Sequence, residues 1–237
     1  MFLNWLGFGN ETERPPRKRP IKFIDETVYM SEFPLMKTHG FYEHGFPQGA
    51  VIHLTAGNET IGHQSVQYAL SQDHCYFVID MMGIVHQQFE IQKWGSHAGR
   101  SEYPGLGTSL SKKLVGIEIQ NPGKLVKKDI FDPISWFGKR YEKAEYFDYD
   151  HNIEKGWYLP INGMQMRSLQ KLIVDLKSIR PDVFDLDFVL GHDEIAKGRK
   201  TDPGGALGMN MDQFRSSLKS LYLEYSEVYD DLSNTII

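Results

Sequence analysis

The sequence predicts an α/β (α+β) domain in which a mixed central β-sheet carries helices on its faces. Three observations lead there. Short apolar runs of strand character alternate with stretches of helical periodicity. Two of those runs are close enough to pair as a hairpin, which brings antiparallel pairing into an otherwise interleaved order. The chain of 237 residues, 41% hydrophobic and 24% charged, supplies one sizeable core and the surface to cover it.

Taken in order, the start MFLNWLGFGNETERPPRKRP reads as an arm over residues 1–20, with the domain running over 21–237. Phe2 to Phe8 is apolar but short, broken by Asn4 and Gly7, and lacks a basic lead and a small-residue cleavage site. No signal peptide is recognisable, so synthesis is expected in the cytoplasm, with action there or after release or export. No run approaches the roughly 20 apolar residues of a membrane span. The Pro-rich basic run Arg14 to Arg19 reads as an extended linker, and with the apolar tip it offers a weak envelope contact.

The strand runs are AVIHLT (Ala50–Thr55), CYFVID (Cys75–Asp80), IVHQQF (Ile84–Phe89), LVGIEIQ (Leu114–Gln120) and DFVLGH (Asp187–His192). Met81-Met82-Gly83 is short enough for a hairpin turn, with Gly83 at positive φ. Gly62 to Gln72 predicts a short helix. A stronger one spans Met164 to Arg180, apolar at Leu169, Leu172, Ile173, Leu176 and Ile179 and stopped by Pro181. A last helix follows Asn210, with Phe214, Leu218, Leu221, Tyr222 and Tyr225 on one stripe. Residues 127–163 are aromatic and charged without periodicity, and are expected to form an ordered insertion over the sheet. Its Trp136, Phe137, Tyr141, Tyr146, Phe147 and Trp157 serve either a saccharide or peptide groove or the insertion's own packing.

Charge and cysteine usage narrow the function. A net charge of −5 gives no reason to expect a nucleic-acid partner. The single cysteine, Cys75, excludes an internal disulfide and reads as a buried thiol.

The segment GHDEIAKGRKTDPGG, Gly191 to Gly205, is too polar and too broken for a core element. It places His192 at a strand tip and Asp202 on a loop pinned by glycine and proline, while His53 sits in the apolar run AVIHLT. Two imidazoles and a carboxylate suffice for catalytic zinc, which keeps a position for water. The same set suits Fe(II) in oxygenases. Asp202 is preferred to Asp193, which adjoins His192 and tends to point elsewhere. Lys200 favours hydrolysis, because an ammonium beside a metal is costly unless negative charge develops there, as on a tetrahedral oxyanion. Glu118, the one charge in LVGIEIQ, is the candidate for moving protons. His63, His74 and His86 read as structural or surface residues.

HLTAG, YFVIDMMGIVHQQF, SHAG, VGIEIQNPG and GHDEIAKGRKTDPG, in that order over about Val51 to Gly205, resemble the type 2 N-acetylmuramoyl-L-alanine amidases. That family is related to peptidoglycan recognition proteins and phage amidase lysozymes. The resemblance implies a zinc hydrolase, with one Zn2+ per chain, cleaving the amide between N-acetylmuramic acid and L-alanine in peptidoglycan or muropeptides. His53, His192 and Asp202 would be the metal ligands, Glu118 the catalytic carboxylate and Lys200 the oxyanion partner. His97, in the position of the family's WHAG histidine, Trp94 and Asn121 would be substrate contacts. Ser96 stands where the family has tryptophan, and Asp193 and Lys197 replace its usual arginine and proline. The complete ligand set argues against a noncatalytic binding module.

Overall fold

The computed structural model describes residues 28–30, 40–60, 64–71, 76–88, 90–127, 130–148 and 154–234. The expected arm, its boundary near residue 20, Cys75, His63 and His74 lie outside these residues. In chain order the strands begin with β1 (Val28–Met30), β2 (Gly40–Phe41), β3 (Gly49–Leu54), β4 (Phe77–Ile79) and β5 (Val85–Gln87). There follow β6 (Lys93–Trp94), β7 (Glu102–Tyr103), β8 (Gly107–Thr108) and β9 (Leu114–Ile119). β10 (Lys124–Leu125), β11 (Glu145–Phe147), β12 (Gly156–Tyr158) and β13 (Val189–Gly191) complete the set. The helices are α1 (Gln64–Ser71), α2 (Gly163–Ile179), α3 (His192–Ile195) and α4 (Met211–Asn234).

Six strands form the central sheet in the order β1-β5-β4-β9-β3-β13. All neighbours are parallel except the β4–β5 hairpin. Gly83 turns that hairpin at φ 76°, and Asp80 accepts from the Met82 and Ile84 amides through Oδ1. β3 and β9 lie inside the sheet, so both their faces are covered and both read as apolar runs. The two-residue alternation of strands sorts them. Ala50, Ile52, Leu54, Val115, Ile117 and Ile119 join one core cluster with Leu169, Leu172 and Ile173 of α2 and Phe214 and Leu218 of α4. Val51, Leu114 and Leu190 face a smaller cluster on the opposite side, with Ala98, Leu106, Leu110 and Ile195.

α2 starts one residue earlier than its apolar stripe predicts because Asn162 caps it, accepting from the Met164 and Gln165 amides at 2.9 and 3.0 Å. On α4, Phe214 and Leu218 are buried and the outer part of the stripe is half-buried. One expectation is corrected. The run DFVLGH is a strand only over Val189–Gly191. The Asp185 carboxylate accepts from the Asp187 amide and turns Leu186–Phe188 into a 3-10 helix. Glu194 accepts from the Gly191 amide at 2.8 Å, and His192 opens a short helix instead of ending a strand. The insertion, expected to be ordered, supplies β11 and β12, which pair with β10 in a second sheet, β10-β12-β11. Its Phe147 and Tyr158 are buried in the main cluster beside Ala206 and Leu207, so it rests on the loop after Asp202.

Candidate metal centre and active site

β3 and β9 pair residue for residue, and that register sets His53 directly across from Glu118. Both are on the face opposite the main core, near the C-terminal ends of parallel strands, where open α/β sheets place their sites. β13 pairs with β3 on its other edge, and the chain leaving β13 enters α3 at His192. The Asp193 amide donates to the Asp202 carbonyl at 2.8 Å, folding the ten-residue loop back on its start. The Asp202–Pro203 peptide is cis.

Three side chains from these elements converge. His53 Nδ1 and His192 Nδ1 are 2.8 Å apart, and Asp202 Oδ2 lies 3.4 Å from the first and 3.1 Å from the second. Both histidines are 2% exposed. Among the described residues this is the one group of histidine, cysteine or acidic side chains close enough to share an ion. Donors about 2.0–2.2 Å from a tetrahedral zinc are roughly 3.3 Å from each other, so the trio fits zinc. Asp193 turns away: one of its oxygens accepts from the Glu194 amide at 3.0 Å and the other from the Glu154 amide at 3.4 Å.

The electrostatics follow from burial and from these contacts. Burial, reinforced by the neighbouring His192, lowers the His53 pKa to about 4, so its ring is neutral at pH 7. Burial would raise Asp202, but its contacts with His192 and His53 outweigh that and hold it far below the usual carboxylate range. Glu118 is pushed up to about 8 by burial and by the charge of Asp202, against an opposing pull from Lys200. Its Oε2 is buried with no hydrogen-bond partner. Lys200 is half-buried and close enough to act on the charge of both His53 and Glu118.

The expected substrate contacts fall into different surroundings. His97 lies behind His53, edge-on to it at 5.2 Å between centroids, with Nδ1 3.0 Å from His53 Nε2. Asn121 is buried, donating to the Leu159 carbonyl and accepting from the Gly123 amide. Trp94 packs against the main core cluster with the Lys112 ammonium 5.5 Å over its ring. His86 pairs with Asp80 at 3.1 Å. Of the aromatic group, Tyr141 and Phe147 are core, while Trp136 is 77% and Tyr146 53% exposed. The Trp136 indole donates to the Ala56 carbonyl at 2.7 Å, three residues beyond His53.

Sequence reasoning missed the supports. Arg215, which looks like a surface residue of α4, is buried and paired with Glu194, bracing α3 from behind. Gly116 leaves room for the His97 ring: a Cβ there would lie 2.7 Å from His97 Cγ. Glycine in a strand interior is the sequence signal for such an approach.

The chain matches no curated protein sequence. Among solved structures it is similar to the N-acetylmuramyl-L-alanine amidase AmiD from E. coli, in complex with anhydro-N-acetylmuramic acid-L-Ala-D-gamma-Glu-L-Lys. The likeness has 22% identity and a TM-score of 0.50, and covers 73% of this chain and 58% of that one. It is also similar to AmpDh3 from Pseudomonas aeruginosa in complex with anhydromuramic pentapeptide, at 19% identity and a TM-score of 0.52, covering 84% of this chain and 67% of that one. These likenesses concern the fold, and the chain spans little more than half of AmiD. The sequence profile of the N-acetylmuramoyl-L-alanine amidases matches residues 43–205, well over half of the chain, from just before β3 to just past Asp202. On that match, the chain belongs to the N-acetylmuramoyl-L-alanine amidase family.

Proposed function

We propose that the chain is a zinc-dependent hydrolase that cleaves the amide between N-acetylmuramic acid and L-alanine in peptidoglycan or its muropeptide fragments. The observation that carries this is the convergence of His53, His192 and Asp202 beside a buried, unpaired Glu118 oxygen in a chain of that family. His53, His192 and Asp202 would hold the metal. Bound there, zinc supplies Lewis acidity that polarises a carbonyl and brings the pKa of a water down to about 7.

The protein groups do the rest. Glu118 takes the proton of the attacking water as its oxygen bonds to the carbonyl carbon. It then delivers that proton to the leaving nitrogen as the C–N bond breaks, freeing the amino group of L-alanine. Lys200 pulls Glu118 toward the ionised form that a base requires, and the charge of a bound metal acts in the same sense. The Lys200 ammonium also offers a fixed positive charge to the oxyanion of the tetrahedral intermediate. Two carboxylates thus divide the labour by environment. Asp202 is ionised throughout and suited to holding a cation, while Glu118 is poised near neutrality and suited to proton transfer.

The test is mass spectrometry of products from purified sacculi and from muropeptides, with zinc-loaded protein. Stem peptides with a free L-alanine amino terminus are expected from the wild type and not from Glu118→Ala. Cleavage elsewhere in the stem or the glycan, or full activity in Glu118→Ala, would overturn the assignment.

A further inference from the structure

We infer that the segment Ser96–Gly99 is a clamp behind the metal centre, in which His97 and the Ala98 carbonyl fix the tautomers of both ligand histidines. This rests on the zinc reading above and gives His97 a positioning role in place of a substrate contact.

The argument runs outward from the hydrogen bonds. His97 Nε2 lies 2.8 Å from the Leu114 carbonyl. A carbonyl only accepts, so that nitrogen carries the proton and a neutral His97 keeps a lone pair on Nδ1. His97 Nδ1 faces His53 Nε2 at 3.0 Å, so His53 donates from Nε2 and its Nδ1 is left unprotonated. His192 Nε2 faces the Ala98 carbonyl at 3.4 Å, again an acceptor only, and the Nδ1 of His192 is likewise the bare nitrogen. The two bare nitrogens and the Asp202 carboxylate are the three atoms that converge. Three lone pairs at such distances repel one another unless a proton or a metal ion lies among them. Adjacent residues of one segment therefore orient ligands that come from separate elements, β3 and α3, 139 positions apart in the chain.

The segment is itself held. Ser111 Oγ accepts from the His97 amide at 3.1 Å and from the Ala98 amide at 2.9 Å. Arg199 donates to the Ala98 carbonyl at 2.9 Å and to the Arg100 carbonyl at 2.8 Å, tying the clamp to the loop that carries Asp202. Gly116 on β9 is the gap into which the His97 ring fits. Outer partners of this kind commonly control metal affinity as strongly as they control ligand orientation.

The experiment measures zinc affinity by competition with a chromophoric chelator, for the wild type, His97→Phe and His97→Asn, each checked for folding by thermal unfolding. Phenylalanine keeps the ring and removes the acceptor; asparagine restores an acceptor oxygen near the position of Nδ1. His97→Phe is expected to lose about 10–100-fold in zinc affinity, and His97→Asn to recover most of it. Nitrogen-15 NMR of the zinc-loaded wild type is expected to show an exchange-protected His53 Nε2 proton that exchanges faster in His97→Phe. Wild-type zinc affinity in His97→Phe, with only KM raised, would make His97 a substrate contact and overturn the clamp. So would a folded His97→Asn no better than His97→Phe, which would assign the ring to packing alone. The affinity is read on the protein itself. A zinc-binding wild type inactive on peptidoglycan therefore defeats the proposed reaction and leaves the clamp standing.

Discussion

The two halves of the candidate site are built by different physics. His53 and Glu118 stand on adjacent buried strands, and their separation is set by the ladder between β3 and β9, in which every residue from Gly49 to Leu54 has a registered partner. His192 and Asp202 stand at either end of a loop with no ladder. Their approach depends on the Asp193–Asp202 backbone bond and on aromatic rings of the insertion pressing on the loop from outside. The Tyr158 hydroxyl donates to the Thr201 carbonyl at 3.0 Å, next to Asp202, and to the Glu154 carbonyl at 2.7 Å. A Cβ on Gly204 would lie 2.3 Å from the Tyr158 ring, and one on Gly205 2.3 Å from the Phe147 ring. The sheet half is rigid because a register can shift only by whole residues. The loop half is precise only as long as its glycines admit the rings.

If the halves also divide the chemistry, with acid–base work on the sheet and oxyanion charge on the loop, the largest effect falls on turnover. Lys200→Ala is expected to lower kcat by about 10²–10³-fold, the scale of one oxyanion donor, while zinc stays bound. Metal content of the purified variant and its initial rates on muropeptides check this together. An active Lys200→Ala would leave the loop half with metal ligation alone.

The sheet half makes its own prediction, about pH. Glu118 rises from an ordinary 4.5 to about 8, so between those values the folded chain holds a proton that the unfolded chain releases. Stability from this group therefore falls as pH rises through that window, and the full penalty stands above about pH 8. Glu118→Gln removes it. In metal-free protein, the variant should gain over the wild type from near pH 4.5 upward, levelling above pH 8 at a few kcal/mol at most. His53 and Asp202 shift in the acid range but are common to both proteins. Thermal unfolding in a chelating buffer across pH 4 to 9 reads the difference; a constant offset would mean that Glu118 is not the titrating group.

The sheet half was also the readable half. The apolar runs around His53 and Glu118 announced buried strands, and a lone carboxylate among Val115, Ile117 and Ile119 stood out. The hairpin was legible because Gly83 sits where a positive φ is needed. The loop half announced its candidate ligands by residue type, yet its geometry was hidden. The strands of the second sheet are two or three residues long, too short for any period to emerge. The partners of its rings lie far along the chain, 43 residues in the case of Tyr158 and Thr201. The run DFVLGH departs from a full strand for a local reason, since Asp185 and Glu194 cap turns on both sides of β13. Gly116 marks the close approach of the His97 ring, which lies beside it with Nδ1 3.0 Å from His53 Nε2.

The smallest expected effect separates the halves most cleanly, because it holds the stability cost constant and asks where it is felt. Gly205→Ala places a methyl against Phe147, and Ala50→Val adds methyls to a fully buried position on β3 facing the main core. Each overpacks a filled site and is expected to cost about 1–3 kcal/mol. On β3 the strain can be shared along a strand hydrogen-bonded on both edges, so His53 keeps its register and zinc affinity should hold close to the wild type. At Gly205 the readier relief is movement of the loop, which carries Asp202 away from the two imidazoles. Zinc affinity should then fall together with stability. Denaturant unfolding of the metal-free proteins, paired with chelator competition on the same samples, gives both quantities. Equal losses of zinc affinity in the two variants would show that the ladder protects the site no better than the loop does.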